Sequence, residues 1–303
     1  MYRYKKILVA LDFSSKDEAL IRYAKRLSDL AKSETISFIH VAESFDLPEQ
    51  ILREYPSLAQ SVDEYTRNKM KSMIENYFEE GSGPAYSLEV TEGEPISGIL
   101  RMICDKDIDL VLVGKPDPGP GKHNIAEKLA RKAPCSVLVV PEGSKSDYER
   151  ILLATDFSDH AREALDVASA FAKAAGIKAI DAVHVYNLPL GYYKTGKSEQ
   201  EFDAIMRRNA QIQHEQWIRG ADLRDIALRF ETIRGKRPDT KIIEQLRDKS
   251  SDLLVLSTRG RSTGAAVLLG SITEQLIRES QIPVLAVKQK GEGLDLLDII
   301  LNV

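Results

Sequence analysis

Apolar residues fall along this chain in short continuous runs, separated by longer stretches where they recur every three or four positions. Runs of Val, Ile and Leu stand near residues 5–11, 35–41, 85–91, 109–114 and 135–140. They return near 150–155, 179–185, 226–233, 252–256 and 283–288. Runs of this length with little alternation mark strands covered on both faces, as in parallel sheets. Helical periodicity fills the intervals near 15–32, 57–80, 94–106 and 123–132, and the second half repeats the alternation. In the first helix Leu20, Tyr23, Ala24, Leu27 and Ala31 share one face, and Ser15 followed by Glu18 has capping-box spacing. Pro95 and Pro238 stand near helix starts, where a missing N–H does no harm. Strands alternating with helices imply parallel pairing through right-handed crossovers.

The pattern occurs twice because the sequence does. Ile7-Leu8-Val9-Ala10-Leu11-Asp12-Phe13-Ser14 returns as Ile151-Leu152-Leu153-Ala154-Thr155-Asp156-Phe157-Ser158, an offset of 144. Ile39-His40-Val41 and Val183-His184-Val185 keep that offset, and Asp109-Leu110-Val111-Leu112-Val113 returns at Asp252–Leu256, an offset of 143. A repeat of roughly 140 residues can bury a core by itself, so each copy is a domain. The fold predicted is two tandem doubly wound α/β domains of flavodoxin-like or Rossmann-like type, over 1–142 and 143–291. The polar stretch Glu142–Glu149 links them, and 292–303 forms an apolar tail. Ligands in such sheets sit beyond the carboxyl ends of the strands, where the winding reverses. In a flavodoxin-like order the first and fourth strands flank that crevice.

The segments after those strands carry the candidate chemistry. Leu256 is followed by Ser257-Thr258-Arg259-Gly260, nine residues, and Gly270-Ser271-Ile272-Thr273-Glu274. A glycine-bearing loop here delivers the chain to a helix N-terminus, whose unpaired N–H groups and dipole favour an anion. Gly260 and Gly270 present no side chain to obstruct a phosphate, Ser271 can donate a hydroxyl hydrogen bond, and Arg259 and Arg261 add charge. Asp156 faces the same crevice and can accept hydrogen bonds from a ribose or base. A structural alternative stands beside this reading: Ser271 and Glu274 as a capping box, with Gly260 and Gly264 as turn glycines.

In the first half the equivalent loop is Gly114-Lys115-Pro116-Asp117-Pro118-Gly119-Pro120-Gly121-Lys122-His123-Asn124. His123 and Asn124 stand in the places of Gly270 and Ser271, and three prolines remove N–H donors that a phosphate would use. Gly121-Lys122-His123 is not a Walker loop, because Pro116 stands at the first glycine and His follows the lysine.

The spacing Ser257-x2-Gly260-x9-Gly270-Ser271 resembles the phosphate motif G-x2-G-x9-G-[ST] of the nucleotide-binding branch of the universal stress protein family. The Asp-Phe-Ser after each first strand, the His-Val closing each second strand and Ala-Pro-Cys-Ser-Val-Leu-Val-Val at 133–140 extend the resemblance over both halves. It implies ATP, with AMP and ADP as alternatives and with or without Mg, bound in the second domain alone. The implied site comprises Thr155, Asp156 and Val185 toward the adenosine and Ser257, Arg259, Gly260, Gly270, Ser271 and Ile272 toward the phosphates. Ser257 departs from the motif's first glycine, and at a positive φ it would cost about 1 kcal/mol. The resemblance also implies pairing through final strands. Strands near 135–140 and 283–288 are therefore expected to meet in an intramolecular pseudo-dimer, and the tail to support a homodimer.

Bulk properties narrow the function. A net charge of -4 with 43% apolar and 29% charged residues lacks the basic excess of a nucleic-acid binder. No apolar run reaches the roughly 18 residues of a membrane span, and no signal peptide is visible, so a cytoplasmic protein is expected. Cys104 and Cys135 lack a Cys-x-x-Cys or His neighbour and read as core thiols. His40 and His184, at matching strand ends, read as structural first and ligand-facing second. No catalytic carboxylate pair or nucleophile–His arrangement is visible, and the Ser-Gly-Gly-x-Asp-Ser loop of N-type pyrophosphatases is absent. The expectation is an adenine-nucleotide-binding stress or regulatory protein with an unidentified protein partner and at most slow hydrolysis. A slow ATP hydrolase and a ligand-independent interaction module are the alternatives.

Overall fold

Ten strands form on the Val, Ile and Leu runs, each within one residue of its expected bounds, in a computed structural model describing residues 3–42, 49–55, 57–78, 83–115, 125–260 and 269–291. The chain divides into two units, Met1–Ser146 with Lys290–Val303 and Asp147–Gln289. In the first, β1 (Lys6–Leu11), β2 (Thr35–Ala42), β3 (Ala85–Glu92), β4 (Leu110–Gly114) and β5 (Ser136–Val140) lie in the order β3-β2-β1-β4-β5. In the second, β6 (Ile151–Ala154), β7 (Ala179–Tyr186), β8 (Ala227–Arg234), β9 (Leu253–Ser257) and β10 (Val284–Val287) lie in the order β8-β7-β6-β9-β10. The neighbouring strands within each unit pair in parallel. Winding therefore reverses between β1 and β4, and between β6 and β9, which creates a crevice at each carboxyl end.

The repeated aspartate before β4 and β9 has a structural use. Asp109 accepts hydrogen bonds from the N–H groups of Lys5 and Lys6, both 2.8 Å, while its own N–H donates to Lys6 O. Asp252 accepts from Glu149 N–H (2.8 Å) and Arg150 N–H (3.0 Å), and its N–H donates to Arg150 O. Each carboxylate fixes the register of the first and fourth strands before either reaches the crevice. Lys290 completes the knot in the first unit, its Nζ lying 2.7 Å from Asp109 and 2.8 Å from Asp107.

Helices cover the sheets. The first unit carries α1 (Asp17–Ala31), α2 (Glu49–Glu54), α3 (Ser57–Glu75), α4 (Pro95–Asp105) and α5 (Ile125–Lys132). The second carries α6 (Asp159–Ala175), α7 (Glu199–Trp217), α8 (Pro238–Asp248) and α9 (Ser271–Glu279). Pro95 and Pro238 open their helices as expected. Four details differ from the sequence expectation. The helix expected over 57–80 ends at Glu75, and the six-residue α2 precedes it. The Ser15–Glu18 box does not form, because α1 starts at Asp17 with Lys16 as its uncapped N-cap. Cys135 is buried as expected, but Cys104 is exposed, one position off the buried stripe of Ile96, Ile99, Leu100 and Ile103. The loop residues 116–124, Arg261, Gly264 and the tail 292–303 lie outside the described residues.

The Asp-Phe-Ser turns explain where α1 begins. Phe13 and Phe157 both adopt positive φ, 60° and 63°. A non-glycine residue there costs roughly 1–2 kcal/mol, so packing must compensate. Each ring lies on the histidine that closes the next strand, Phe13 on His40 at 4.2 Å and Phe157 on His184 at 4.3 Å. The Nδ1 atoms of those histidines lie 2.9 Å from Leu11 O and 2.8 Å from Thr155 O, so both rings are structural pins. The acceptor for the phenylalanine N–H differs between units. Phe157 donates to Thr155 Oγ1 (3.0 Å), whereas Phe13 donates to Asp17 Oδ2 (2.8 Å). Leu11 and Asp17 stand where the second copy has Thr155 and Ala161.

Asp17 is fully buried, and burial together with the neighbouring Asp12 raises its pKa to about 7. The folded unit therefore binds more protons than the unfolded chain between the ordinary carboxylate value and about pH 7. The Asp17 contribution to stability is full below that window and is lost as pH rises through it. Asp17→Asn should flatten this slope in the first unit while leaving the second unchanged. Hydrogen exchange of β1–β5 and β6–β10 peptides at several pH values resolves the two.

Candidate functional site

A cavity of about 340 Å³ opens beyond the carboxyl ends of β6, β7 and β9. All nine site residues named from the sequence line it: Thr155 and Asp156 after β6, Val185 in β7, Ser257, Arg259 and Gly260 at the end of β9, and Gly270, Ser271 and Ile272 at the start of α9. His184 joins the wall as well as pinning Phe157. Sequence reasoning missed Pro238 and Ile242 of α8, and Thr273, which also line the cavity. Pro238 was visible as a helix start, but nothing local signals that α8 leans toward this crevice.

Asp156 is a fixed group. Its Oδ1 accepts from the N–H and Oγ of Ser158, at 3.0 and 2.6 Å, and the same Ser158 Oγ caps α6 by accepting from Ala161 N–H. Its Oδ2 faces Gly260, where an added Cβ would come within 2.7 Å. The pressure for glycine at 260 comes from this close approach, which a Cβ would relieve only by shifting the Asp156 carboxylate, and not from the backbone, since Gly260 does not have positive φ. Ser257 also avoids positive φ, so the cost anticipated for its replacing a glycine does not arise. Its Oγ donates to Arg259 O at 2.7 Å and shapes the turn.

The loop that leaves β9 is closed at its base. Thr258 N–H donates to Val287 O (3.0 Å), Gly270 N–H to Thr258 O (2.7 Å), and Thr273 Oγ1 to Ser257 O (2.9 Å). Gly270 is thus the N-cap of α9, with no side-chain cap, and Ser271 is the first helical residue. The alternative of a Ser271–Glu274 capping box is overturned, because the Glu274 N–H that Ser271 would cap already donates to Gly270 O at 3.0 Å inside the helix. The N–H groups of Ser271, Ile272 and Thr273 belong to the first turn, beyond reach of any intrahelical carbonyl, and are donors for an anion. Gly270 N–H is already used.

The rest of the wall divides by polarity. Val183, Val185, Ile242 and Leu256 give an apolar side, while Asp156 and the α9 terminus supply the polar groups. Beyond Val185, Tyr186 donates its hydroxyl hydrogen to Asp203 (2.9 Å) and accepts from Arg207 (3.1 Å), tying the end of β7 to α7. Burial would raise Asp203, but these two partners hold its pKa low. At the start of α8, Arg237 pairs with Asp239 at 2.6 Å and holds that carboxyl below its ordinary value. Among the described residues no cluster of three or more His, Cys, Asp or Glu side chains could cage a metal ion.

The corresponding place in the first unit is occupied differently. Lys16 is buried, and its aliphatic chain lies 3.2 Å from where a Gly114 Cβ would stand, at the residue matching Ser257. His123 and Asn124 lie outside the described residues.

A model of the universal stress protein family matches residues 3–141 and again 147–288. The universal stress protein E homolog of Haemophilus influenzae is 24% identical over 305 aligned positions, covering 94% of this chain and 98% of its own length. A universal stress protein of Thermus aquaticus is 31% identical over 141 residues, 46% of this chain and 99% of the relative. A solved universal stress protein from Archaeoglobus fulgidus shares the fold, with TM-score 0.62 at 18% identity, over 95% of this chain and 99% of that one. Among the described residues no helix is long and apolar enough to cross a membrane.

Gly260→Ala is expected to displace the Asp156 carboxylate and cost about 1 kcal/mol or more as an overpacked contact. Combined with Asp156→Ala, most of that cost should vanish. Denaturant unfolding of the four proteins in this mutant cycle, followed by Trp217 emission, measures the coupling.

Proposed function

We propose that this chain, which belongs to the universal stress protein family, is a regulatory protein that holds one adenine nucleotide, in its second unit. The observation that carries the reading is the opposition across one cavity of Asp156 and the uncapped N-terminus of α9. A carboxylate held by Ser158 suits ribose hydroxyls, which donate hydrogen bonds, while first-turn N–H groups and Ser271 suit phosphate oxygens, which accept them. The apolar side between them suits a base. A volume of about 340 Å³ lies at the lower end for small-molecule sites, enough to seat a nucleoside with its phosphates running toward α9.

ATP, ADP and AMP all meet these requirements, and the distinction lies in how many phosphates α9 and Arg259 engage. Magnesium would have to be held chiefly by the phosphates and water, since the described residues give it no carboxylate cage. The burial of Lys16 across Gly114 supports a single site per chain, because the matching space in the second unit is part of the cavity.

Calorimetry with ATP, ADP and AMP should give one site per chain. Gly270→Glu, which adds bulk and negative charge at the α9 terminus, should abolish binding and leave the circular dichroism spectrum unchanged. Two equivalent sites, or unaltered affinity in the variant, would refute the reading. With no carboxylate pair beside the phosphates, any hydrolysis should run below about 1 per second, the lower end of common enzyme turnover. A magnesium-dependent phosphate-release assay on the wild type and on Asp156→Asn checks this.

A further inference from the structure

His214 is the buried titratable group that the nucleotide site leaves unused. It is 7% exposed on the inner face of α7, and neither ring nitrogen has a hydrogen-bond partner among the described residues. Its ring stacks on Phe230 with centroids 3.8 Å apart and planes 3° from parallel. Phe157 packs against the same group, 6.4 Å from His214, 5.7 Å from Phe230 and 5.8 Å from Trp217. Trp217 Nε1 donates to Ser158 O at 3.2 Å. This aromatic box therefore grips both residues that follow Asp156, the strained Phe157 and the Ser158 that holds the Asp156 carboxylate. At the offset of 144 the first unit has Met70, fully buried and unable to titrate.

The charged neighbours do not offset a proton at this place. On α7, Glu215 follows His214 in sequence and is exposed. On β8, Arg229 and Glu231 alternate with Phe230 and point to the opposite face, where Glu231 meets Lys249 at 3.0 Å. On β7, Asp181 approaches the same Lys249, and His184 lies behind Phe157 with Nδ1 on Thr155 O. At the start of α6 stand Asp156, already held by Ser158, the exposed Asp159, His160, and Arg162 bound to Arg219 O.

We propose that His214 is a proton sensor for the ligand-binding turn: its protonation opens the aromatic box, frees Phe157 and Ser158, and weakens the hold of Asp156 on the nucleotide. An imidazolium needs an acceptor at each N–H, and among the described residues neither ring nitrogen has one, so the charged ring is driven outward. Its face-on attraction to Phe230 offsets part of that cost but satisfies neither N–H. Burial lowers the His214 pKa below its ordinary value, with Glu215 opposing weakly. The unfolded or opened form therefore binds the proton more tightly, and the closed turn loses stability as pH falls below about 6.5. The consequence for ligand rests on the nucleotide reading of the cavity; the response of the turn does not.

The chain contains one tryptophan, Trp217, which reports on the box directly. In the full chain without ligand, Trp217 emission should change in one step with a midpoint below about pH 6.5. AMP affinity should fall across the same step, by at most tenfold for each pH unit below about 6.5. His214→Met, and His214→Gln should the first variant not fold, should abolish the emission step and flatten the affinity profile. The wild-type to variant ratio cancels titration of the phosphate itself. An emission step that persists in the variants, or is missing from the wild type, overturns the proposal. A step confined to wild type with parallel AMP profiles overturns its link to the site. Absence of AMP binding at every pH defeats the nucleotide reading instead, and the emission step then decides the proton response alone.

Discussion

A phenylalanine forced into left-handed backbone conformation is the constraint on which both units are built. The chain must leave β1 or β6, reverse, and enter a helix within a few residues, and Phe13 and Phe157 make that reversal at φ near +60°. The strain is tolerated because each ring gains a tilted contact with a histidine and each N–H gains an acceptor. The residue before the phenylalanine is an aspartate, so the same reversal fixes where a carboxylate meets the crevice. In the second unit that placement in turn favours glycine at 260, where a Cβ would meet the carboxylate. Geometry at the site is thus inherited from a backbone turn rather than assembled by the site residues themselves.

Below the turn, Asp109 and Asp252 do comparable work at the amino ends of the strands. Each takes two backbone N–H groups from the neighbouring first strand and sets its register against the fourth. A one-residue slip would reverse which side chains face each layer. The aspartate ties the first strand to the fourth at the amino end, and the histidine ties the first strand to the second at the carboxyl end, so the crevice walls are held from both ends.

What could be read in advance follows from how local each cause is. Strand limits were legible because burial on both faces leaves unbroken Val and Ile runs, and the cavity wall was legible because β9, its loop and α9 are consecutive. The start of α1 was not, since Asp17 bonds back to the Phe13 N–H and moves the helix entry past Ser15. Nor was α2, whose six residues are too few to show a period. Pro238 and Ile242 reach the cavity from an element distant in sequence, and the box of His214, Phe230 and Trp217 is assembled from α7 and β8 in the same way. The repeat includes Asp109 and Asp252 but gives no hint that they bind backbone.

The relocated acceptor has a consequence for how the two halves can change. One copy satisfies the turn with Thr155 and keeps Ala161 in its helix; the other uses Leu11 and answers with Asp17. Recombination between the repeats that carried only one member of such a pair would leave the phenylalanine N–H orphaned, or bury a carboxylate whose shorter hydrogen bond is already taken. Exchange between the halves is therefore neutral only when both positions travel together. The two copies can therefore correct one another only across a segment long enough to span both positions, which ties the evolution of the strand end to that of the helix start.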